Sequence, residues 1–393
     1  SDGESQSINA SGFWKELSYP KVVLSEDQAR KSAGQFSLVR HFEVQMRGSC
    51  CLFAFFAISF AQASWGYKFQ EFPSLGKNTG VQAASNGTYA AATYDGVVAE
   101  TFIVGPSQTI RVNETHGLRQ STVTHIGPNI ISFRLLQRSN ENFARHNGYL
   151  HNGKLEYVVP AANTEEAYIL GGSETGWITG YSTFRTGDGF LGSVAFLYNP
   201  TTGERIDTFL STNNHYMAGN SKNEFTFVTS PDEPSSGTSN AAFLRRGNTL
   251  KYIGSFVPSF INNQSTVVGD GFGGGFIWTE EGGERLIPNA EGGVWGLSHS
   301  GTIITRTGGE SKWFWHRGDT MKELIPTTMG FPTGTRIDGL VVDPYTDQLY
   351  VRLYEFSTRR NYTARLDPVP EPGTLAALGL GLAALARRRR MQS

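Results

Sequence analysis

The sequence predicts an all-β chain, a β-propeller of seven blades of about 43 residues, closed by an N-terminal strand. Three observations lead there. The first is composition: 46 Gly, 26 Phe, 15 Tyr and 7 Trp stand in 393 residues, of which only 18% are charged. Aromatics with frequent glycine suit short strands and many turns, and argue against a coiled coil or a disordered chain. The second is a recurring column, and the third is a spare strand at the front. The formal net charge of -1 gives no basic footprint, so nucleic acid is not an expected partner.

The column is an aromatic expected to open the third strand of each unit. It appears at Phe102, Tyr149, Phe196, Phe243, Phe276, Trp313 and Tyr362, at spacings of 47, 47, 47, 33, 37 and 49. A β-rich segment precedes each one: Thr88–Tyr94, Asn129–Leu136, Trp177–Tyr181, Glu224–Thr229, Thr266–Asp270, Thr302–Arg306 and Leu349–Tyr354. A glycine follows within eight residues in six cases, at Gly105, Gly153, Gly203, Gly247, Gly282 and Gly318. Strand, aromatic and turn repeating together are the mark of four-stranded blades. A different blade count, a sandwich or a β-solenoid fits the same composition. Phe276 with Trp278, and Phe196 with Tyr198, stand two apart and share one face of a strand, as residues buried between sheets do.

The spare strand is Tyr67-Lys68-Phe69-Gln70-Glu71-Phe72-Pro73, which precedes the first full unit. The last unit ends after Tyr362-Thr363-Ala364-Arg365-Leu366 and lacks the outer strand that Glu323-Leu324-Ile325-Pro326 supplies elsewhere. An unpaired edge is a liability, so the front strand is expected to pair with the last blade.

Both ends read as processing signals. Met46 opens a run with one positive charge, Arg47, and about ten apolar residues ending in Ala61-Gln62-Ala63. Residues 46–63 have the layout of a secretory signal peptide, with Ala61 and Ala63 placed for cleavage by signal peptidase before Ser64. A buried helix is the competing reading. Residues 1–45 lie upstream of a good start and are weakly patterned. They read as an extension from a start site placed too early, or as a long leader. Cys50 and Cys51 both fall inside 46–63, so residues 64–370 contain no cysteine; they carry 24 basic and 28 acidic side chains. The expected body is 64–368.

Residues 369–393 read Val369-Pro370-Glu371-Pro372-Gly373-Thr374, then an apolar run from Leu375 to Ala386, then Arg387, Arg388, Arg389 and Arg390. As a helix the run spans about 18 Å at ~1.5 Å per residue, short against a hydrocarbon core of about 30 Å. A transient anchor in the inner membrane fits better than a permanent span. The arginines favour the cytoplasmic side, and the prolines present an extended segment. This tail resembles the PEP-CTERM sorting signal of exosortase substrates. The resemblance implies cleavage near Pro370-Glu371-Pro372 and release or transfer to the cell surface. A plain short tail anchor is the competing reading. Inside the body, Phe260-Ile261-Asn262-Asn263-Gln264-Ser265-Thr266-Val267-Val268-Gly269 followed by Gly275-Phe276-Ile277-Trp278 resembles the HAF-type extracellular repeat. The match is good for 260–288, fair for 297–326 and weak elsewhere.

Chemistry is sparse. No nucleophile elbow occurs, since Gly296-Leu297-Ser298-His299-Ser300-Gly301 has the wrong spacing. There is no His-Glu-x-x-His, and the body has no cysteine for zinc. His116, His125, His146, His151, His215, His299 and His316 are scattered, so a metal site would have to be shared across the ring. Gly269–Gly275 reads as a flexible loop, with no Lys-Ser/Thr after it to cradle phosphate. Asp343 and Asp347 stand at a spacing compatible with calcium, but a turn started by Asp343-Pro344 is the commoner reason for such a pattern. Asp232-Glu233 and Glu280-Glu281 read as solvated turn acids. Trp295 and Trp315 are the aromatics to test as sugar platforms. No catalytic residue, metal or cofactor is expected. The reading is a non-catalytic surface or extracellular-matrix protein, with exopolysaccharide or surface proteins as partners. The alternative is a secreted carbohydrate-active propeller enzyme, a hydrolase or lyase, which would bring two or three carboxylates to one mouth of the channel.

Overall fold

The computed structural model describes residues 67–71 and 79–368, apart from 95–98, 107, 139–145, 188, 190, 212, 231–239 and 310–311. Residues 1–45, the signal-peptide stretch with Ala61, Ala63 and Ser64, and the tail with Val369, Pro370, Glu371, Pro372 and Arg387 to Arg390 lie outside the described residues, as does Asp232-Glu233.

Strand β1 (Tyr67–Glu71) comes first, and four-stranded groups follow in chain order. The first holds β2 (Gly80–Ser85), β3 (Thr88–Tyr94), β4 (Ala99–Val104) and β5 (Thr109–Arg111). The second holds β6 (Leu118–Ile126), β7 (Ile130–Arg138), β8 (His146–His151) and β9 (Lys154–Tyr157). Next come β10 (Glu166–Gly172), β11 (Ile178–Arg185), β12 (Leu191–Tyr198) and β13 (Arg205–Thr208), then β14 (Asn213–Gly219), β15 (Glu224–Ser230), β16 (Ala241–Arg246) and β17 (Thr249–Gly254). They are followed by β18 (Phe256–Ile261), β19 (Val267–Gly271), β20 (Gly274–Thr279) and β21 (Gly283–Leu286), and by β22 (Val294–Leu297), β23 (Ile303–Arg306), β24 (Trp313–Arg317) and β25 (Thr320–Glu323). The last group holds β26 (Thr335–Val342), β27 (Leu349–Glu355) and β28 (Arg360–Pro368).

The fold is an all-β propeller. Among the described residues the strands form five four-stranded sheets and one eight-stranded sheet. In the large sheet, β12 and β14 meet through the parallel pair Ser193↔Asn213. The first strands of consecutive groups are neighbours, β2 beside β6, β6 beside β10, and so on through β14, β18, β22 and β26, and β26 lies beside β2. The series of first strands therefore closes on itself. The last sheet takes its fourth strand from the front of the chain: β1 pairs antiparallel with β28, Tyr67 opposite Pro368 and Glu71 opposite Ala364. The edge of β28 is thereby covered.

Apolar cores lie between consecutive sheets. Ile130 and Tyr149 of the second group pack with Ile169, Ile178 and Phe196 of the third. Ala195 and Leu197 then pack with Tyr216, Phe225 and Phe227 of the fourth. Tyr89 and Ala91 of the first group meet Tyr350 of the last, with the Tyr89 and Tyr350 rings 5.1 Å apart. Each strand thus shows one face to the core before it and the other to the core after it, which is why blade sequences are apolar on both faces. Burying one large ring is worth about 2 kcal/mol, and Tyr216, Tyr350, Phe133, Phe196, Phe227 and Phe256 are fully enclosed.

The segments read as strands before each column aromatic are β3, β7, β11, β15, β19, β23 and β27, the second strand of each group. The aromatics do lie on third strands, but all except Trp313 sit inside the strand instead of opening it. Each first strand carries a bulge against its second, as at Ile169/Gly171 and Pro258/Phe260. The bulge thrusts a carbonyl at the facing strand. A Cβ on Gly180 would stand 2.0 Å from the Tyr168 carbonyl oxygen, and one on Gly269 would stand 2.0 Å from that of Val257. Only glycine fits there. Gly269–Gly275 is accordingly no flexible loop: Gly269↔Phe276, Asp270↔Gly275 and Gly271↔Gly274 are paired across a tight hairpin. Close approach accounts for Gly269 and for Gly275, the latter against Val294 and Ala290, while Gly273 and Gly274 take φ of 95° and 139° at the turn.

Candidate site at the turns between first and second strands

The turns joining first to second strands gather at one end of the blades, and five of them share a local design. A polar residue, Ser173, Asn220, Asn262, Ser298 or Asp343, closes the turn through its own N–H, which donates to the carbonyl of Trp177, Glu224, Thr266, Thr302 or Gln348. One residue of each turn takes a left-handed backbone: Gly176, Asn223, Ser265, Gly301 and Asp347, with φ of 86°, 57°, 65°, 88° and 58°. Gly, Asn and Asp tolerate that region best, which explains most of these choices. The side chain of the first residue stiffens the turn. Asn262 Oδ1 accepts from the Gln264 N–H at 3.0 Å and the Thr266 N–H at 2.9 Å, and Asn220 Oδ1 accepts likewise from Lys222 and Glu224.

Those same side chains tie each turn to the next. Asn220 Nδ2 donates to the Asn262 carbonyl at 2.9 Å, and Asn262 Nδ2 donates to the Ser298 carbonyl at 3.2 Å. The His299 N–H donates to the Pro344 carbonyl at 2.7 Å. At the join of last blade and first, the neighbouring turn offers N–H groups instead of a carbonyl, and a carboxylate stands where Asn stood. The Asn86 and Gly87 N–H groups donate to Asp343 Oδ1 at 3.0 Å and Oδ2 at 2.7 Å. Asp343 also accepts from the Tyr345 and Thr346 N–H groups. It is fully buried. The Asp-Pro turn reading therefore describes its role, and Asp347 turns away to accept from Ser300 Oγ at 2.6–2.7 Å.

Within this turn layer Glu174 reaches residues of three other blades. Its Oε1 stands 2.5 Å from His299 Nε2, its Oε2 accepts from Asn263 Nδ2 at 3.2 Å, and the Tyr345 hydroxyl also bonds it. His299 Nδ1 accepts from the Asn263 N–H at 3.3 Å, so Nε2 carries the proton that faces the carboxylate. That approach is close but bent away from a linear hydrogen bond, so its character is mainly electrostatic. Tyr345 packs edge-on to the His299 ring at 4.7 Å and is 42% exposed, which puts the cluster at the surface. Burial works against ionised Glu174, but the close His299 contact and the bonds from Tyr345 and Asn263 outweigh it and hold the carboxyl below its usual range. Burial, followed by the bond to Glu174, pushes the Tyr345 hydroxyl up. The result is one committed anion among donors beside an exposed ring. Sequence reasoning missed it, because its members are 89 to 171 positions from Glu174 and only the ring topology joins them.

The other candidates fall elsewhere. Trp295, the second residue of β22, lies at the opposite end of the blades and is 37% exposed; its Nε1 donates to the Gly292 carbonyl at 3.2 Å and its ring meets Trp313 edge-on at 5.1 Å. Trp315 is half-buried against the core between the last two groups and offers no open platform. His125 is wedged against the Ser173 carbonyl at 3.2 Å, and burial lowers it to about 4. His215 packs with its ring tilted against Tyr181, centroids 4.1 Å apart, and is lowered to about 4 by the same cause. Glu280 is an exposed turn acid, and it also pairs with Arg246 at 2.9 Å and with Lys251. Among the described residues no three His, Cys, Asp or Glu side chains group to hold a metal ion.

Residues 368–390 match the model for the PEP-CTERM protein-sorting motif. The chain carries a PEP-CTERM sorting motif. Its first matched residue, Pro368, is the last residue of β28, so the motif begins where the propeller ends. No helix among the described residues is long and apolar enough to cross a membrane. No curated protein sequence matches the chain. Solved structures with similar architecture include the β-propeller domain of the Trilobed protease from Pyrococcus furiosus, at 10% identity over 77% of this chain and 96% of that one, with a TM-score of 0.47. Acylaminoacyl peptidase of Pyrococcus horikoshii is 10% identical over 79% of this chain, with a TM-score of 0.48, and this chain covers 55% of its length. Oligogalacturonate lyase in complex with manganese is 8% identical over 78% of this chain and 98% of that one, with a TM-score of 0.47. None of these likenesses carries an activity to this chain.

Proposed function

We propose that this PEP-CTERM protein is exported, processed by exosortase near Pro370-Glu371-Pro372, and displayed as a non-catalytic propeller scaffold at the cell surface or in the extracellular matrix. The observation that carries the proposal is the position of the sorting motif, which starts at the final residue of the last blade. The scaffold has seven blades: the eight-stranded sheet is two blades touching through the pair Ser193↔Asn213, and the first strands follow one another in a closed series. The shared turn of Asn220, Asn262 and Ser298 supports the HAF-type repeat reading, since the polar residue and the left-handed residue recur at fixed places within it.

The ligand is an extracellular polysaccharide or another surface protein, engaged at the Glu174 mouth. Tyr345 offers an exposed ring for a sugar face, and Glu174 and Asn263 offer polar groups for hydroxyls. Glycoside hydrolysis calls for a pair of carboxyl groups at a working separation, whereas Asp343 and Asp347 of the same turn layer are each taken up by the turns. A glycan array probed with residues 64–370 tests the proposal. Retention of one polysaccharide class, lost in Tyr345→Ala and Glu174→Ala, is the expected result. Time-dependent shortening of the bound glycan would instead establish the hydrolase or lyase alternative.

A further inference from the structure

We infer that the Glu174 mouth recognises a positively charged sugar, an amino-sugar residue of a polysaccharide whose ammonium meets the Glu174 carboxylate while its ring stacks on Tyr345. This rests on the proposed reading of the mouth as a ligand site and adds to it the chemical class of the ligand. The protonation of the cluster carries it. His299 Nδ1 accepts from the Asn263 N–H, so the imidazole that faces Glu174 bears one proton and no charge. The other partners are the Asn263 amide and the Tyr345 hydroxyl. All three are neutral donors, so they hold the carboxylate ionised without cancelling its charge. A carboxylate held in this way attracts a cation and repels a second anion.

The neighbouring charges leave Glu174 as the one that a ligand meets. The turns between first and second strands are residues 86–87, 127–129, 173–177, 220–223, 262–266, 298–302 and 343–348. Their only lysine or arginine is Lys222, whose Nζ stands 3.4 Å from Ser265 Oγ. Asp343 is buried under four N–H groups, and Asp347 is tied to Ser300. Tyr345 is the one exposed large hydrophobic side chain of these turns. Its hydroxyl bonds Glu174, so an open ring and an anion stand side by side. An amino sugar fits both: its C–H face covers the ring, and its ammonium reaches the carboxylate. Exposed Ser221, Gln264 and Ser300 in the adjoining turns supply neutral groups for sugar hydroxyls. A lysine-rich peptide is the competing cation, but its long stems call for more apolar surface than one ring. At the opposite end the rings already carry cations. The Arg306 guanidinium lies 5.9 Å from the Trp295 ring, and that of Arg336 lies 5.3 and 5.2 Å from Tyr354 and Phe356.

The full chain, held in non-ionic detergent, is titrated by calorimetry with a glucosamine hexamer and with its N-acetylated form. Mildly acid buffer keeps the amine charged while Glu174 stays ionised. The amine form is expected to bind about tenfold more tightly. That preference should shrink several-fold between about 0.1 M and 1 M salt, as the screening length falls from about 10 Å to 3 Å. Glu174→Gln keeps the shape of the side chain and removes its charge, so it should bring the two forms within about twofold. Equal affinity of the parent for both forms overturns the charged-sugar assignment and leaves the mouth a site for neutral glycan. A preference that survives Glu174→Gln, or that salt does not touch, also overturns it, and the salt series needs no variant to fold. Hexalysine binding more tightly than the glucosamine hexamer, and losing that affinity in Glu174→Gln, overturns the sugar in favour of a basic protein segment. Binding of none of these ligands overturns the reading of the mouth as well.

Discussion

The conversion of one turn residue from amide to carboxylate is the clearest case of local chemistry serving the whole ring. Asn220 and Asn262 each donate to a carbonyl of the next turn, whereas Asp343 accepts from the N–H groups of Asn86 and Gly87. These contacts span 257 and 256 positions, so Asp343 joins the last blade to the first. Truncating it leaves a buried hole and strands four part-buried N–H donors, and an unsatisfied donor costs up to about 1–3 kcal/mol where water cannot reach it. Asp343→Ala is expected to lower stability by about 3 kcal/mol in urea unfolding followed by tryptophan fluorescence. Asp343→Asn keeps one acceptor oxygen and should cost about half as much. An Asp343→Ala protein as stable as the parent would mean that water replaces the carboxylate and that the latch is dispensable.

At the scale of elements, β1 makes the sharpest statement. A strand read at the front of the chain and a missing outer strand at its end meet as five residue pairs, from Tyr67↔Pro368 to Glu71↔Ala364. Deleting residues 67–73 should remove this pairing and leave the β28 edge open. The expected outcome is a lower thermal midpoint and concentration-dependent association, read by calorimetry and light scattering. An unchanged midpoint would show that the inter-blade cores and the Asp343 latch close the ring without β1. Strands and their order were legible because apolar runs, glycine turns and the aromatic column repeat at short range. The bulges were not: they appear in sequence only as Gly180 and Gly269, whose cause is a carbonyl 2.0 Å from where a Cβ would stand. The glycine-rich hairpin at 269–275 was misread because glycine required by close packing, as at Gly269 and Gly275, or by a positive φ, as at Gly273, looks in sequence like glycine required by motion. Nor was the site legible. Glu174, Asn263, His299 and Tyr345 are ordinary turn residues until four blades bring them together.

At the scale of the molecule, the buried histidines set how the propeller responds to acid. His125 and His215 are both lowered to about 4 by burial, against about 6.5 in an unfolded chain. Between those values the unfolded chain binds protons that the folded chain refuses, so stability rises with pH across that window. The contribution is whole above about pH 6.5, is lost as the pH falls, and changes no further below about pH 4. Both rings are partly accessible, so each is worth on the order of 2 kcal/mol across the window. His316, also lowered by burial, acts in the same sense, while Asp270, raised by burial, acts in the opposite one. Glu174 and Glu224 are held below their usual range, against burial, by their hydrogen-bond partners, so their contributions persist to lower pH and are lost as it falls through their folded values. Two steps separated in pH follow, one from histidine and one from carboxylates. Urea midpoints measured between about pH 7.5 and pH 3 should fall first on the histidine limb. His215→Phe keeps a ring against Tyr181 and removes one proton site, so it should shrink that limb by roughly half, leaving the His125 share, and spare the lower one. Parent stability that stays level from pH 7 to pH 4.5 would mean that both imidazoles accept protons within the fold, and the acid response would then belong to the carboxylates alone.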